Sequence, residues 1–267
     1  MTGAALLYKM FEGYQSTELL WNDNELNNLK QLKLQSSFEE FKPKTSKKLR
    51  LGKWVEQFVS FLIQNQKKSE LLAESIQIKN GKITIGELDF LYVQNKNPIH
   101  LEVVYKFYLY DTAKKYDNPL EHWIGPNRKD ALTLKLDKLK EKQLPLLYHE
   151  ACTEILKQLN LRLQNIKQYV HFKAQLFVPY NTNVNTSLNE NCIVGFYLSI
   201  EQLDIFKNHL FYIPTKLEWL VLPNDAVNWL GYDETKYIIE EQHKRNQSPL
   251  LWVKQGNTIE KCFVVWW

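Results

Sequence analysis

The chain is poor in the residues that cross-link proteins or build metal fingers. It has only three cysteines in 267 residues, Cys152, Cys192 and Cys262. They are widely separated, with no C-x-x-C pair and no histidine set beside them, which argues against a zinc site and against a disulfide framework. No apolar window approaches the length of a bilayer span, and the N-terminal stretch MTGAALLYKMFEGYQ lacks both the basic start and the hydrophobic length of an export signal. The expectation is a cytoplasmic protein with buried thiols and no membrane partner. There is no GxSxG elbow and no Walker-type glycine loop, and the six histidines, His100, His122 and His149 among them, show no spacing that orients a nucleophile. Hydrolase triads and nucleotide-driven motors are therefore disfavoured. No repeat recurs at a fixed period.

What remains is ordinary globular material, 44% hydrophobic and 24% charged, with ample length for a core. The formal net charge of +4 permits a polyanionic partner without requiring one.

The richest stretch is Gly86 to Lys106, GELDFLYVQNKNPIHLEVVYK. Residues 83–93 and 99–110 are dense in β-branched and aromatic types, and QNKNP between them is turn-like, so the segment reads as a hairpin. Alternation places Glu87 and Asp89 on one face of its first strand, and Glu102, Val104, Lys106 and Tyr108 on one face of its second. If those faces coincide, three carboxylates converge, and such a set needs a proton or a hard divalent cation such as Mg²⁺. The competing reading is a set of solvated charges on a half-buried hairpin. Leu101, Val103, Val104, Phe107 and Leu109 make the second strand apolar on much of both faces, as in a covered sheet, where charges need a reason.

Upstream, LGKWVEQFVSFLIQNQKK carries apolar residues at 51, 54, 55, 58, 59, 62 and 63, the pattern of an amphipathic helix. FEEFKPKTSKKLR before it reads as a polar connection, and residues 1–35 look helical in parts. LLAESIQIK is strand-like, and Asn80-Gly81 is a favoured tight-turn pair, giving three antiparallel strands in succession. Downstream, YDTAKKYDNPLEHWIGPNRKD is a long connection suited to a lid. Asn127 resembles an N-cap, predicting a helix from Arg128 with Leu132, Leu136 and Leu139 buried. Arg128, Lys135, Lys138 and Lys142 would form a basic stripe on that helix, suited to a phosphate backbone, or a solvated face balanced by Asp137 and Glu141. A second helix, LYHEACTEILKQLNLRLQ, leads to a fourth strand, YVHFKAQLFVPY. Beyond residue 181, CIVGFYLSI, HLFYIPTKLEWLVLP and SPLLWVKQGNTIEKCFVVWW are strand-like and rich in Trp. Those aromatics read as core or interface, and Trp266 and Trp267 as a packed tail or a homodimer contact.

GELDF followed downstream by HLEVVYK resembles the core of the PD-(D/E)XK nuclease superfamily. More narrowly, GELDF, HLE, KFY and IGPNRKDALTLKLDKL resemble a bacterial family known as domain of unknown function family 1853, best over residues 50 to 150. The resemblance implies that Asp89 and Glu102 hold a metal, Mg²⁺ or Mn²⁺, and that Glu56, on the helix before the first strand, is a candidate third carboxylate; pairing with Lys53 or solvent is its alternative. Gln143 matches a glutamine that lies near the active site in some superfamily nucleases. The superfamily's lysine position falls on Val104. Lys106 stands four residues after Glu102, roughly 13 Å along a regular strand at about 3.3 Å per residue. A β-bulge that re-aims Lys106, a substitute cation such as Lys135, or loss of the chemistry all stay open.

The expected fold is α/β (α+β): a mixed central sheet flanked by helices, with an αβββαβ restriction-endonuclease-like core and a β-rich C-terminal region. The expected division is a helical extension at 1–45, the nuclease-like core at 46–180 and the β-rich region at 181–267. The expected function is metal-dependent phosphodiester cleavage of nucleic acid, DNA in the first instance, with Asp89, Glu102, Lys106, Glu87 and Glu56 at the site and Arg128, Lys135, Lys138 and Lys142 on the backbone. The alternative is a catalytically inactive member of the fold that binds nucleic acid or a protein partner.

Overall fold

A computed structural model describes residues 3–22, 25–43 and 49–267. In chain order the elements are helix α1 (Gly3–Ser16), short strands β1 (Glu25–Leu26) and β2 (Leu29–Lys30), helix α2 (Leu51–Asn65), strands β3 (Ser69–Asn80), β4 (Ile83–Gln94), β5 (Asn97–Tyr110) and β6 (Trp123–Ile124), helices α3 (Leu132–Lys138) and α4 (Thr153–Gln158), strands β7 (Lys167–Pro179), β8 (Ile193–Ser199) and β9 (Leu210–Tyr212), helix α5 (Tyr232–His243), and strands β10 (Leu250–Gln255) and β11 (Thr258–Val265). The protein is thus mixed α/β, with parallel and antiparallel pairs. The centre of the expected polar connection, residues 44–48, lies outside the described residues. Two compact units are present, each assembled from separated pieces of chain: residues 21–105 with 134–173, and residues 1–20 with 106–133 and 174–267.

The first unit carries the candidate site. Its strands run in the order β3–β4–β5–β7. Helix α2 buries Trp54, Val55, Phe58, Val59, Leu62 and Ile63, the apolar series its periodicity predicts. Phe58 is fully buried and meets Phe41 edge-on at 4.8 Å between ring centroids, a burial worth about 1.5–3 kcal/mol. Strands β3 and β4 close through a two-residue turn with Asn80 opposite Ile83. Gly81 occupies the left-handed region at φ 60° and nothing crowds its Cα. Gly81→Ala should therefore lower stability by about 1 kcal/mol through backbone strain alone, read as a shifted urea midpoint with an unchanged slope; an unshifted midpoint would show that the turn tolerates a Cβ. Strands β4 and β5 close similarly, with Asn95 and Lys96 both at positive φ and Gln94 opposite Asn97.

The helical segments that follow β6 along the chain depart from expectation. Helix α3 starts at Leu132, not Arg128. Arg128 adopts φ 56°, in a turn where its N–H donates to the Gly125 carbonyl at 2.8 Å. Asn127 caps nothing there, because its side-chain oxygen accepts the Ser248 N–H at 2.8 Å. Leu132, Leu136 and Leu139 are buried as expected. After Lys138 the helix widens into a π-type turn over Leu139–Gln143, closed by Leu144 N–H on the Leu139 carbonyl at 3.0 Å. The continuous helix expected over 147–164 is broken into short 3₁₀ turns and α4, since His149 is extended at ψ 139°. These pieces still bury Leu147, Cys152, Leu156 and Ile166 with Ile78, Leu88 and Leu91 of the β3–β4 hairpin.

The second unit has the strand order β7–β8–β11–β10–β9, with β6 paired to the end of β5. Pairs β7–β8 and β8–β11 are parallel, β10–β11 and β10–β9 antiparallel. A Cβ on Gly195 would lie 2.1 Å from the Lys261 carbonyl oxygen of the neighbouring strand, so only glycine fits. Two parts of the β-rich expectation are corrected. Within HLFYIPTKLEWLVLP only Leu210–Tyr212 is strand, and Glu218–Leu220 is a 3₁₀ turn. YDETKYIIEEQH is helix α5, with Thr235 and Ile239 buried. Trp252 and Trp219 belong to the core. Trp267 is a packed tail: its Nε1–H donates to the Pro126 carbonyl at 2.9 Å and the Arg128 guanidinium lies 3.8 Å over its ring.

Candidate acidic site

The β4–β5 ladder runs from Gln94↔Asn97 to Phe90↔Leu101. At the next step two carboxylates take up backbone amides of the opposite strand. Asp89 N–H donates to Glu102 Oε1 at 3.4 Å, and Val103 N–H donates to Asp89 Oδ2 at 2.8 Å. On the other side of β4, Ser75 of β3 sits at φ 51° between the pairs Glu74↔Phe90 and Ile76↔Leu88. A non-glycine residue in that region is strained, and such strain gathers at functional sites.

Glu102 is fully buried. Its Oε1 also meets His100 Nε2 at 3.0 Å, and its Oε2 accepts from Gln143 Nε2 at 2.5 Å. The Gln143 carbonyl oxygen in turn accepts from Lys135 Nζ at 2.7 Å. That lysine fixes the amide orientation, so Gln143 presents its NH₂ to Glu102. Both oxygens of this buried carboxylate are therefore engaged by polar partners. Burial first, then the Glu102 charge and the Glu56 charge, push the Asp89 carboxyl up to about 8, against the Val103 N–H and Lys135.

Two further carboxylates reach Asp89. Glu56 of α2, Glu87 and Asp89 each offer an oxygen such that all three lie within 4.8 Å of one another. Lys53, one helical turn before Glu56, bridges two of them, with Nζ 2.7 Å from Glu56 Oε2 and 2.7 Å from Glu87 Oε1. The Ser75 hydroxyl donates to Glu56 Oε2 at 3.1 Å. Burial, and the Glu87 charge with it, raises the Glu56 carboxyl, while Lys53 and Ser75 oppose the rise. Burial works against the Lys53 ammonium, but its bonds to Glu56 and Glu87 prevail and hold it well above the usual lysine range.

Three oxygen ligands of this kind match the preference of a hard divalent cation. Octahedral Mg²⁺, with oxygens at about 2.1 Å, spans about 4.2 Å between opposite ligands, so modest closure of Glu56, Glu87 and Asp89 would suffice. Glu102 stands behind Asp89, with one lone pair of Oε2 beyond those its donors use.

Among the residues singled out by sequence, Glu56, Glu87, Asp89 and Glu102 come together. Glu56 realises both of its readings at once, since it pairs with Lys53 and also joins the cluster. Lys106 makes its ion pair with Asp130 at 2.5 Å. Lys135 approaches Glu102 through Gln143, and the glutamine singled out by resemblance is a direct partner of the buried acid. Of the basic stripe, Lys138 and Lys142 are exposed. Arg128 lies off the helix and pairs with buried Asp111 at 3.2 Å. The residues that sequence reasoning passed over are His100, Gln168 and the bridging role of Lys53. His100 and Glu102 are two apart on a strand and Lys53 and Glu56 three apart on a helix, spacings that place each pair on one face. Gln168 carries no such signal.

The fold and this cluster define an α/β protein with a carboxylate-rich site on a hairpin and its neighbouring helix. The chain belongs to the family described as Domain of unknown function (DUF1853), whose model matches residues 6–265. No curated protein and no solved structure matches it.

Proposed function

We propose that the protein is a metal-dependent phosphodiesterase acting on nucleic acid, DNA in the first instance, and that the helix, three strands, helical pieces and strand from α2 to β7 are a restriction-endonuclease-like core. The observation that carries this reading is the convergence of Glu56, Glu87 and Asp89 within 4.8 Å in front of the buried, hydrogen-bonded Glu102. Mg²⁺ or Mn²⁺ bound there would polarise a phosphate and lower the pKa of an attacking water. The chain's own groups do the rest. Asp89, Glu87 and Glu56 would supply oxygen ligands, and the buried Glu102 side chain would brace Asp89 from behind through the Asp89 N–H. Lys53, released from its two carboxylates, would offer a cation to a phosphate oxygen. Exposed Lys138 and Lys142 would hold the backbone without reading sequence.

Titration calorimetry with Mn²⁺ tests the site before any substrate is sought. Saturable binding by the native protein should be lost in Asp89→Asn and weakened in Glu102→Gln. Binding that persists unchanged in both would remove the acidic cluster from consideration.

One observation favours the catalytically inactive alternative: Lys53 already neutralises two of the three carboxylates. Under that reading the protein would bind DNA with a steep salt dependence and leave it intact in Mg²⁺ and Mn²⁺.

A further inference from the structure

Behind Glu102 runs a second chain of hydrogen bonds that ends at Gln168 on β7. The Gln168 amide nitrogen lies 2.7 Å from the Leu144 carbonyl oxygen and 2.9 Å from His100 Nδ1. A carbonyl oxygen can only accept, so Leu144 fixes which end of the Gln168 amide faces it. One amide proton goes to Leu144 and the other points at His100. Nδ1 must then be the unprotonated nitrogen. The ring proton is left on Nε2, 3.0 Å from Glu102 Oε1, where it is donated to the carboxylate. His100 and Glu102 are both fully buried.

We propose that Gln168 is a positioning residue of the acidic site: it selects the Nε2–H tautomer of His100, and that proton fixes the Glu102 carboxylate against Asp89. The opposite tautomer would present a lone pair to a buried carboxylate oxygen, and Glu102 would have to turn away. Turning Glu102 breaks its acceptance of the Asp89 N–H, which registers β4 against β5 at the site. Gln143 and Lys135 hold Oε2, and Gln168 and His100 hold Oε1. Two glutamines thus orient one acid from its two oxygens, each kept from flipping by a group that cannot reverse its role: the Lys135 ammonium, which only donates, and the Leu144 carbonyl, which only accepts.

For its effect on cation affinity the inference rests on the metal reading above; the tautomer itself does not. The experiment uses the full chain labelled with ¹⁵N on histidine. Native protein should show His100 as the Nε2–H form in two- and three-bond ¹H–¹⁵N correlations. Gln168→Leu, which keeps the volume and removes the donor, should lose that pattern and weaken Mn²⁺ binding by about tenfold, the usual scale for removing an outer hydrogen-bond partner of a metal site. A second change separates positioning from mere packing. In His100→Gln the amide places an NH₂ near the position of Nε2, so it donates to Glu102 without needing a tautomer. Added to Gln168→Leu, it should restore Mn²⁺ affinity to within about threefold of native. An Nδ1–H pattern in the native protein, or a Gln168→Leu variant with native tautomer and native affinity, overturns the proposal, as does a double variant no better than the single one. A native protein that binds no Mn²⁺ overturns the metal reading instead, and the tautomer comparison still decides the role of Gln168. If Gln168→Leu does not fold, Gln168→Met replaces it with the same expected readouts.

Discussion

Asp89→Asn is expected to reduce Mn²⁺-dependent cleavage of DNA by on the order of a thousandfold while the protein stays folded. On the proposed function, a metal ion held there would contribute several kcal/mol to the transition state, and at about 1.4 kcal/mol per decade that is the scale of the loss. The fold survives because the substituted asparagine can still accept the Val103 N–H through its carbonyl oxygen, and its amide can donate toward Glu56 and Glu87. Glu102→Gln is a harsher change: the new side chain would have to turn an amide NH₂ toward either the His100 donor or the Gln143 donor, leaving a buried clash of like groups that costs about 1–3 kcal/mol. The pH dependence of stability separates Asp89 from a merely exposed acid. An unfolded Asp titrates near 4, whereas folding pushes Asp89 up to about 8. Between those values the folded protein holds a proton that the unfolded chain has released, so stability is full below about pH 4, falls as pH rises through the window, and levels off above about 8. The Asp89→Asn variant has nothing to titrate at this position. Thermal unfolding at pH 5 and pH 9 should show the variant gaining on the native protein at the higher pH. Parallel losses in both proteins would mean that Asp89 is ionised throughout, and the reading of a proton-holding pair would fail. The same proton must leave before a cation binds, so Mn²⁺ affinity of the native protein should rise up to about pH 8.

How far the sequence makes this site visible depends on the element. Period-two alternation is enough to put Glu87 with Asp89, and the apolar series of α2 fixes where Glu56 points. Both are consequences of regular geometry, and regular geometry is what patterns encode. Gln143 reaches Glu102 from a π-type turn, which adds a residue to the repeat and so moves every later side chain off the face a 3.6-residue period would assign. Periodicity alone does not point to it. Arg128 shows the reverse error: an Asn followed by charged residues reads as a helix start, but Ser248, far along the chain, claims the Asn127 oxygen. A cap depends on what competes for it, and this competitor is non-local. Helix α5 is hidden for a related reason, since it buries only Thr235 and Ile239 and leaves a weak apolar stripe amid strand-like neighbours. Gln168 is the limiting case. Its partners are Leu144 and His100, on other elements, and no spacing along the chain announces them.

Lys53→Met should tighten Mn²⁺ binding by about tenfold and, without metal, lower stability. Lys53 and a divalent cation compete for the same oxygens. The ammonium contacts Glu56 and Glu87 at 2.7 Å each, so a divalent ion using those oxygens must displace it. Lys53 is nearly half exposed, so the full Coulomb energy of two close pairs overstates its hold, and about 1.4 kcal/mol is the scale that remains after screening. In the metal-free variant three carboxylates face one another without the bridging ammonium, and Glu56 and Asp89 hold protons more strongly to relieve the repulsion. Saturating Mn²⁺ should return the lost stability, because a ligand bound only by the folded state stabilises it by mass action. Melting curves with and without MnCl₂, beside calorimetric titrations, read both limbs. Weaker Mn²⁺ binding in Lys53→Met would show that the lysine supports the cation rather than standing in its place. The direction of change also bears on catalysis. If the methionine variant binds Mn²⁺ more tightly yet cleaves more slowly, Lys53 acts on the phosphate after the cation has displaced it.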